Sequence, residues 1–541
     1  MFGSRASTGS GYGSHADGLA GWNGSGIIEP KYTQTLPAVD GHRVVHDPDA
    51  PKRRQRALAM WHGIDDLDAF LKDVYHYYHE GGFFCMTLTR VTNLLVVAFT
   101  IGFSTFLMYC IDWPLLHRSK EHRLDSVIVS RCVASLPWLP LAALLVAVAW
   151  WTADVAQLVL LQIPRWLALH DFYRDALHIP EEDLVNMAWH DVTTRLSQLA
   201  TTAAPGKTSA PLDAYLIAHR ILRHDNYLIA LLNRDLLELR PPFVIGKAVP
   251  PMLTKVLEWN LRFCLLQFCF GPGGHLRREF LRKEQRARLA SQLRARFKLV
   301  ALINLAVAPF LLVFLLFYTF FRYAEEFHKS PSHIGHRGWT AFAKWKFREL
   351  NELPHTFDRR LTKSHVLASQ YLSQFPNLPL NIVARFVAFV TGSFAAVLAI
   401  MVLLDQDLLA VEVTPDRTIL FYIGVFGSIQ AVARGLFPEE EHVPLDPATS
   451  LQLLIDETHY MPPHWRNRFH ASDVRREVAR LFDYKIMLFL NELLSVLVAP
   501  LILYFSLPDC SERIIDFFRE YTVRVSHLGY VCSLADFDYR R

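Results

Sequence analysis

Two apolar segments, Leu299–Phe321 and Ile486–Leu507, carry basic residues on both flanks. Lys and Arg mark the cytosolic end of a spanning helix and are scarcer at the other end. A segment with that mark at both ends is predicted to enter the membrane and leave on the side it entered. Each also holds residues that disturb a helix at mid-depth: Asn304 and Pro309 in the first, Asn491, Glu492 and Pro500 in the second. Backbone groups freed by a break at membrane depth need protein or water as partners. The pattern confines the chain to a membrane protein with a hydrated interior, suited to passing something polar through or along the bilayer.

Composition agrees. Hydrophobic residues make up 51% of the 541 positions, mean hydropathy is +0.16, and charged residues still reach 20%. Long polar segments must therefore alternate with membrane segments. A net charge of +4 is too small to argue for nucleic-acid binding. Basic clusters beside membrane segments suit anionic lipid headgroups, although setting topology is the simpler reading. Cys110 closes the first span and Cys132 opens the second, both near the non-cytosolic face. A disulfide there is one reading; inert buried thiols are the preferred one. There is no CxxC, no Cys/His zinc spacing, no HExxH, no Walker motif and no GxSxG. No enzyme, cofactor or metal chemistry is expected. Without an apolar signal-peptide core, the first span is the expected insertion signal.

The expected fold is an all-α polytopic membrane protein with four transmembrane and two re-entrant helices per protomer. Residues 1–66 read as a disordered cytosolic tail, rich in Gly, Ser, His and Asp and ending in the basic run Lys52-Arg53-Arg54-Gln55-Arg56. Residues 67–164 hold a short amphipathic helix, Leu67–Tyr78, and two spans, Val91–Ile111 and Cys132–Ile163. The second span exceeds the roughly 20 residues a bilayer needs. It must tilt, kink at Pro137 or Pro140, or project, with Asp154 and Gln157 at the projecting end.

Residues 165–298 read as helical and cytosolic, with an apolar helix Leu212–Leu232, an aromatic stretch Trp259–Phe270 stopped by Gly271-Pro272-Gly273-Gly274, and a basic helix Arg277–Lys298. The re-entrant helix 299–321 and a cytosolic block 322–381 follow. Residues 382–434 carry the third and fourth spans, Ile382–Leu404 and Thr418–Ala433, joined by an acidic luminal turn with Asp405, Asp407, Glu412 and Asp416. A cytosolic region 435–485, the second re-entrant helix 486–507 and a cytosolic segment 508–541 complete the chain. Plain hydropathy would give six spans and put 322–380 in the lumen. Its basic residues, Arg337, Lys344, Lys346, Arg348, Arg359, Arg360 and Lys363, argue against that.

Few polar residues lie at membrane depth, and these are the candidates for function. Arg385 sits in the cytosolic half of the third span, where it faces a polar cavity or snorkels to the interface. Asn304, Asn491 and Glu492 either satisfy backbone groups freed near a break or line a wet path. Thr391, beside Gly392 and Ser393, fits close helix packing, with a hydroxyl-lined pore as the alternative. Gln430 and Arg434 lie near the cytosolic end of the fourth span. None of these groups has the spacing of a catalytic dyad, so any transport is passive.

Several long strings carry a family resemblance. They include Gly338-Trp339-Thr340-Ala341-Phe342-Ala343-Lys344-Trp345-Lys346-Phe347-Arg348-Glu349-Leu350-Asn351-Glu352-Leu353-Pro354-His355 and Asn226-Tyr227-Leu228-Ile229-Ala230-Leu231-Leu232-Asn233. Ala384-Arg385-Phe386-Val387-Ala388-Phe389, Leu481-Phe482-Asp483-Tyr484-Lys485 and Asp516-Phe517-Phe518-Arg519-Glu520 belong with them. From about Leu67 onward the chain resembles the autophagy-related protein nine family. The resemblance implies a domain-swapped homotrimer with a central pore and lateral openings, and ATP-independent scrambling of phospholipids. It implies residence at the phagophore assembly site, in cytoplasmic vesicles, Golgi and endoplasmic reticulum, with both termini cytosolic. It implies as partners a bridge-like lipid-transfer protein and autophagy initiation-complex factors. Arg385 is the residue carried over most directly. A non-transporting scaffold for autophagy factors and an ion-conducting pore are the rival readings.

Overall fold

The computed structural model describes residues 50–118, 128–129, 131–203, 212–242, 251–271, 273–329, 337–375, 378–414, 417–436 and 446–536. Expectations for the tail before Ala50, for Pro272, for Asp416 and for residues 537–541 lie outside that set.

Helix α1 (Ala50–His62) corrects the reading of everything before residue 67 as a tail. Ala57 and Trp61, four apart and so on one face, are buried against Phe70 and Phe172. The basic run masks this apolar stripe in the sequence. Asp66 caps α2 (Leu67–His79), its Oδ1 accepting from the N–H groups of Asp68 and Ala69 at 3.0 Å each. Gly81 and Gly82, with φ of 78° and 99°, turn the chain into α3 (Phe83–Cys110). A Cβ on Gly82 would strike the Glu181 carboxylate, which accepts from Phe84 N–H at 2.9 Å. Glycine is required there on both counts.

Helix α4 (Trp138–Ala176) starts after Pro137, not at Cys132, and continues well past Ile163. Its 39 residues span about 58 Å at 1.5 Å each, so the excess projects beyond the bilayer. Pro140 falls in the first turn, where a missing N–H costs nothing. Cys110 and Cys132 are joined in a disulfide, Cα atoms 5.1 Å apart, which overturns the preferred reading of inert thiols.

After α5 (Trp189–Ala203), the stretch expected as one helix over Leu212–Leu232 is two, α6 (Ala214–Ile221) and α7 (Arg223–Asn233), separated at Leu222. Asp213 caps α6, accepting from Leu216 N–H at 2.7 Å. Helix α8 covers 255–269 and ends before Gly271, as expected. The basic stretch from Arg277 begins as short tight turns, and regular helix starts only at Arg286.

That helix, α9 (Arg286–Lys329), is 44 residues long and runs through Asn304 and Pro309 without a break. The interruption expected there does not exist. A single proline withdraws one backbone donor, and the turns on either side hold. Beyond it come β1 (Arg337–Trp339), α10 (Ala341–Phe347), α11 (Pro354–Ser373) and α12 (Leu378–Leu404). The acidic connection folds into a two-stranded turn, β2 (Glu412–Thr414) with β3 (Arg417–Thr418), before α13 (Ile419–Leu436). Helices α14 (Pro447–Thr458) and α15 (Ser472–Leu481) lead to β4 (Phe482–Tyr484) and α16 (Lys485–Glu520). In α16 a wider turn follows Pro500 over Ile502–Ser506 and the helix then resumes. A hairpin of β5 (Thr522–Val525) and β6 (Gly529–Cys532) closes the described chain.

Apolar helices thus occupy all six expected membrane segments, and their large side chains are widely exposed. The polar segments build three cores. One joins α1, α2, the end of α4, α5 and α6. Another joins β1, α10, α11, α14, α15 and β4, with Trp339 opposite Phe482 in the antiparallel β1–β4 pair. The third contains Leu289, Leu293 and Phe297 from the start of α9, Leu503 and Phe518 from α16, and also Trp345 from the block after α9. Lys346 strengthens that last link, donating to Leu232 O at 2.8 Å and to Asp235 at 2.6 Å. The chain before α9 and the chain after it therefore share one packed body.

Candidate functional site

Helices α12 and α13 form an antiparallel pair, with Phe394 stacked on Phe426 at 5.3 Å. Gly392 makes the closest approach: the Gln430 amide lies where a Cβ would be. A larger residue at 392 would have to displace the Gln430 side chain. Thr391 is buried and donates to Val387 O at 2.7 Å, so its hydroxyl is spent on its own helix. Arg385 and Arg434 are exposed and, by the antiparallel register, sit at the same end of the pair, away from the acidic turn.

Asn304 and Glu492 lie elsewhere, in the seam of α8, α9 and α16. Nδ2 of Asn304 donates to Asn260 Oδ1 at 2.8 Å and to Val300 O at 2.8 Å. Glu492 accepts from the Lys255 N–H at the start of α8, at 3.2 and 3.3 Å. One turn on, Ser495 meets the capping hydroxyl of Thr254, both buried. Asn491 is half-buried on α16 beside Glu492. The structure therefore sorts the candidates into a pair-helix group of Arg385, Thr391, Gln430 and Arg434, and a seam group of Asn304, Asn491 and Glu492.

Three polar features escaped the sequence reading. Arg90, at the start of α3, donates to Asp154 of α4 at 2.6 Å, tying the first two membrane helices together. The sequence places Asp154 at the projecting end of its helix, and only the pairing of the two helices shows its partner. Asp68 is buried between Arg220 at 2.8 Å and Arg223 at 2.7 Å, with Arg223 only 1% exposed. Arg223 also donates to Tyr530 O at 2.9 Å, so α2, α7 and the β5–β6 hairpin meet at one guanidinium. Beside it, Lys72 meets His224 Nδ1 at 3.2 Å, and His224 Nε2 meets Gly274 O at 2.9 Å. Burial, then the Lys72 charge, pushes the His224 imidazole down to about 4, and burial also lowers Lys72. A capped amphipathic helix with one extra acid is the only sequence signal for this cluster.

No group of three or more metal-ligating side chains comes together among the described residues.

Comparison with known proteins places these features. A family model described as autophagy protein ATG9 matches residues 59–538. The autophagy-related protein 9 of Mycosarcoma maydis is 47% identical over 511 residues, covering 90% of this chain and 64% of that one. Its counterpart from Cryptococcus neoformans is 44% identical over 547 residues, covering 90% and 54%. The cryo-EM structure of Schizosaccharomyces pombe Atg9 superposes with a TM-score of 0.65 at 36% identity, covering 88% of this chain and 100% of that one. The chain spans about half the length of most of the curated relatives it matches. Matched along nearly all its length by the family model, this chain belongs to the ATG9 family of autophagy proteins.

Proposed function

We propose that this chain is an ATP-independent phospholipid scramblase of autophagy, equilibrating lipids between the leaflets of vesicles and of the growing phagophore. The observation that carries the reading is the return of the chain after α9 to the body it left: Leu289 and Trp345 lie in one core. The apolar middle of α9 then enters the bilayer without delivering the following block to the far side. In this reading α3, α4, α12 and α13 cross, α9 and α16 re-enter, and both termini face the cytosol. The polar side chains these helices carry at depth, Asn304 on α9 and Glu492 on α16, are met by partners on α8, as groups at membrane depth must be met by protein or water.

The α12–α13 pair supplies the polar contacts. Arg385, Gln430 and Arg434 lower the cost of drawing a charged headgroup through hydrocarbon while the acyl chains remain in lipid. Thr391, Asn304, Asn491 and Glu492 shape and hold the helices beside that path. A homotrimer with exchanged helices would cover the apolar surface that one protomer exposes. Within it, scrambling would rebalance lipid delivered to the cytosolic leaflet by a bridge-like transfer protein, with autophagy initiation factors docking on the cytosolic cores.

The test is dithionite quenching of fluorescent phospholipid in liposomes holding the purified chain, without ATP. Quenching well beyond half is expected. A plateau near half, with correctly inserted protein, leaves a scaffold as the better reading, and ion conductance without flipping leaves a channel. Arg385→Leu should slow flipping about tenfold, equivalent to about 1.4 kcal/mol of barrier, with the oligomer intact. An unchanged rate in that variant removes Arg385 from the path.

A further inference from the structure

The cavity between α2, the start of α3 and the middle of α4 has no role in the preceding account. It measures about 560 Å³, and its walls combine Arg90, Arg165, Asp73 and Glu80 with the amides Asn93 and Gln157. Its position is the boundary where the first two membrane helices meet the polar body. Apolar surface from Met86, Leu161 and Trp166 completes the lining.

Two features of that lining point to an occupant. First, the lining carries charges of both signs: Arg90 and Arg165 with Asp73 and Glu80, and His76 3.9 Å from Glu80. Arg165 and Asp73 already form an ion pair, and Arg90 is held on Asp154 at 2.6 Å. With Asp154 set against Arg90 and Asp73 against Arg165, the site holds no surplus positive charge to favour an anionic headgroup, while a zwitterion can share both ion pairs. Second, Asn93 and Gln157 are exposed on helices that are otherwise apolar. An amide facing hydrocarbon without a partner is costly, so such residues face a wet or polar neighbour. Burial pushes the Asp73 carboxyl up, against the pull of Arg165.

We infer that this cavity is a docking site for the headgroup of a zwitterionic phospholipid from the adjoining leaflet. The phosphate meets Arg165 and Arg90, the ammonium meets Asp73 and Glu80, and the amides of Asn93 and Gln157 bond the glycerol esters. The acyl chains lie along Leu161, which is exposed. The inference rests on the scramblase reading for its purpose, since a lipid held here waits beside the path, but the site itself stands or falls separately.

The experiment uses the full chain in liposomes containing either a photoactivatable phosphatidylcholine or a photoactivatable phosphatidylglycerol, each with its probe on the headgroup side. Cross-linked peptides are mapped by mass spectrometry. Adducts within 86–93 and 157–166 are expected for phosphatidylcholine at about fivefold the level for phosphatidylglycerol, the ratio that corresponds to about 1 kcal/mol, the upper end for one exposed charge pair. Asn93→Leu with Gln157→Leu, which keeps both membrane helices apolar, should remove most of that labelling, and Arg165→Glu should abolish the preference. Labelling no higher than at other lipid-facing positions, or equal for the two lipids, overturns the inference. Flipping is measured on the same vesicles. Flipping without cavity adducts defeats this site and leaves the proposed function standing, whereas adducts without flipping do the reverse.

Discussion

Asn260 and Asn304 hold each other by both amides: Nδ2 of Asn304 donates at 2.8 Å, and Nδ2 of Asn260 returns a bond at 3.3 Å. Asn260 is fully buried, so its carbonyl has no recourse to water. Asn304→Leu should cost about 1–3 kcal/mol, the price of one orphaned buried polar group. The double variant Asn260→Leu, Asn304→Leu should recover most of that loss, as paired replacements do. Thermal unfolding of the four proteins in detergent checks this, and additive losses would mean that the two amides are not coupled.

Asp68 should be the most sensitive acid in the polar cores. It is 5% exposed between Arg220 and Arg223. Arg223→Met leaves its carboxylate half-compensated in a dry site, an effect of about 3–5 kcal/mol. Replacing Asp68 by Asn in the same chain should restore part of the stability. A loss under 1 kcal/mol in the single variant would show that water reaches the carboxylate.

Stability should fall on acidification through the His224 window. The folded imidazole titrates near 4, against 6.5 for the free group. Between those values the unfolded chain binds the extra proton and the folded chain does not, so stability is full above 6.5 and declines toward 4. The loss from this residue is at most about 3 kcal/mol. His219 and His275, also lowered by burial, act in the same direction. His224→Gln should flatten the acid limb of a stability–pH curve; an unaltered limb would assign it to other groups.

Cys110 and Cys132 should resist alkylation until reduced, whereas Cys85, exposed near the start of α3, should react at once. The closed loop has a sequence separation of 22 residues, so opening it should cost about 3 kcal/mol on the chain-entropy account. Mass spectrometry before and after reduction reads the first point, and melting of Cys132→Ser reads the second.

The apolar helices were largely legible because hydropathy acts over whole segments. All six apolar segments became helices, and the Gly271 stop and the acidic turn before α13 fell where composition put them. Boundaries failed where one residue decides them. Pro137 fixes the start of α4, and Leu222 divides α6 from α7 with no sequence marker. Pro309 misled in the other direction, since a helix braced on neighbours tolerates a lost donor. The seam partners Asn260, Thr254 and Lys255 were out of reach, because each lies far along the chain from Asn304, Ser495 and Glu492. Pairings of that kind depend on tertiary packing, which no local pattern encodes.

Helix α9 begins at Arg286, whose guanidinium grips Asp516 by two bonds of 2.7 Å, and Phe321 near its far end packs on Phe99 and Phe103 of α3. Its 44 residues follow a path of about 66 Å at 1.5 Å each, roughly twice the hydrocarbon thickness of a bilayer. Held at one end by an ion pair and near the other by aromatic packing, α9 links the polar body directly to α3. A shift of the polar body at Asp516 is therefore carried along one continuous helix to the apolar packing around Phe321, with no loop between them to absorb it.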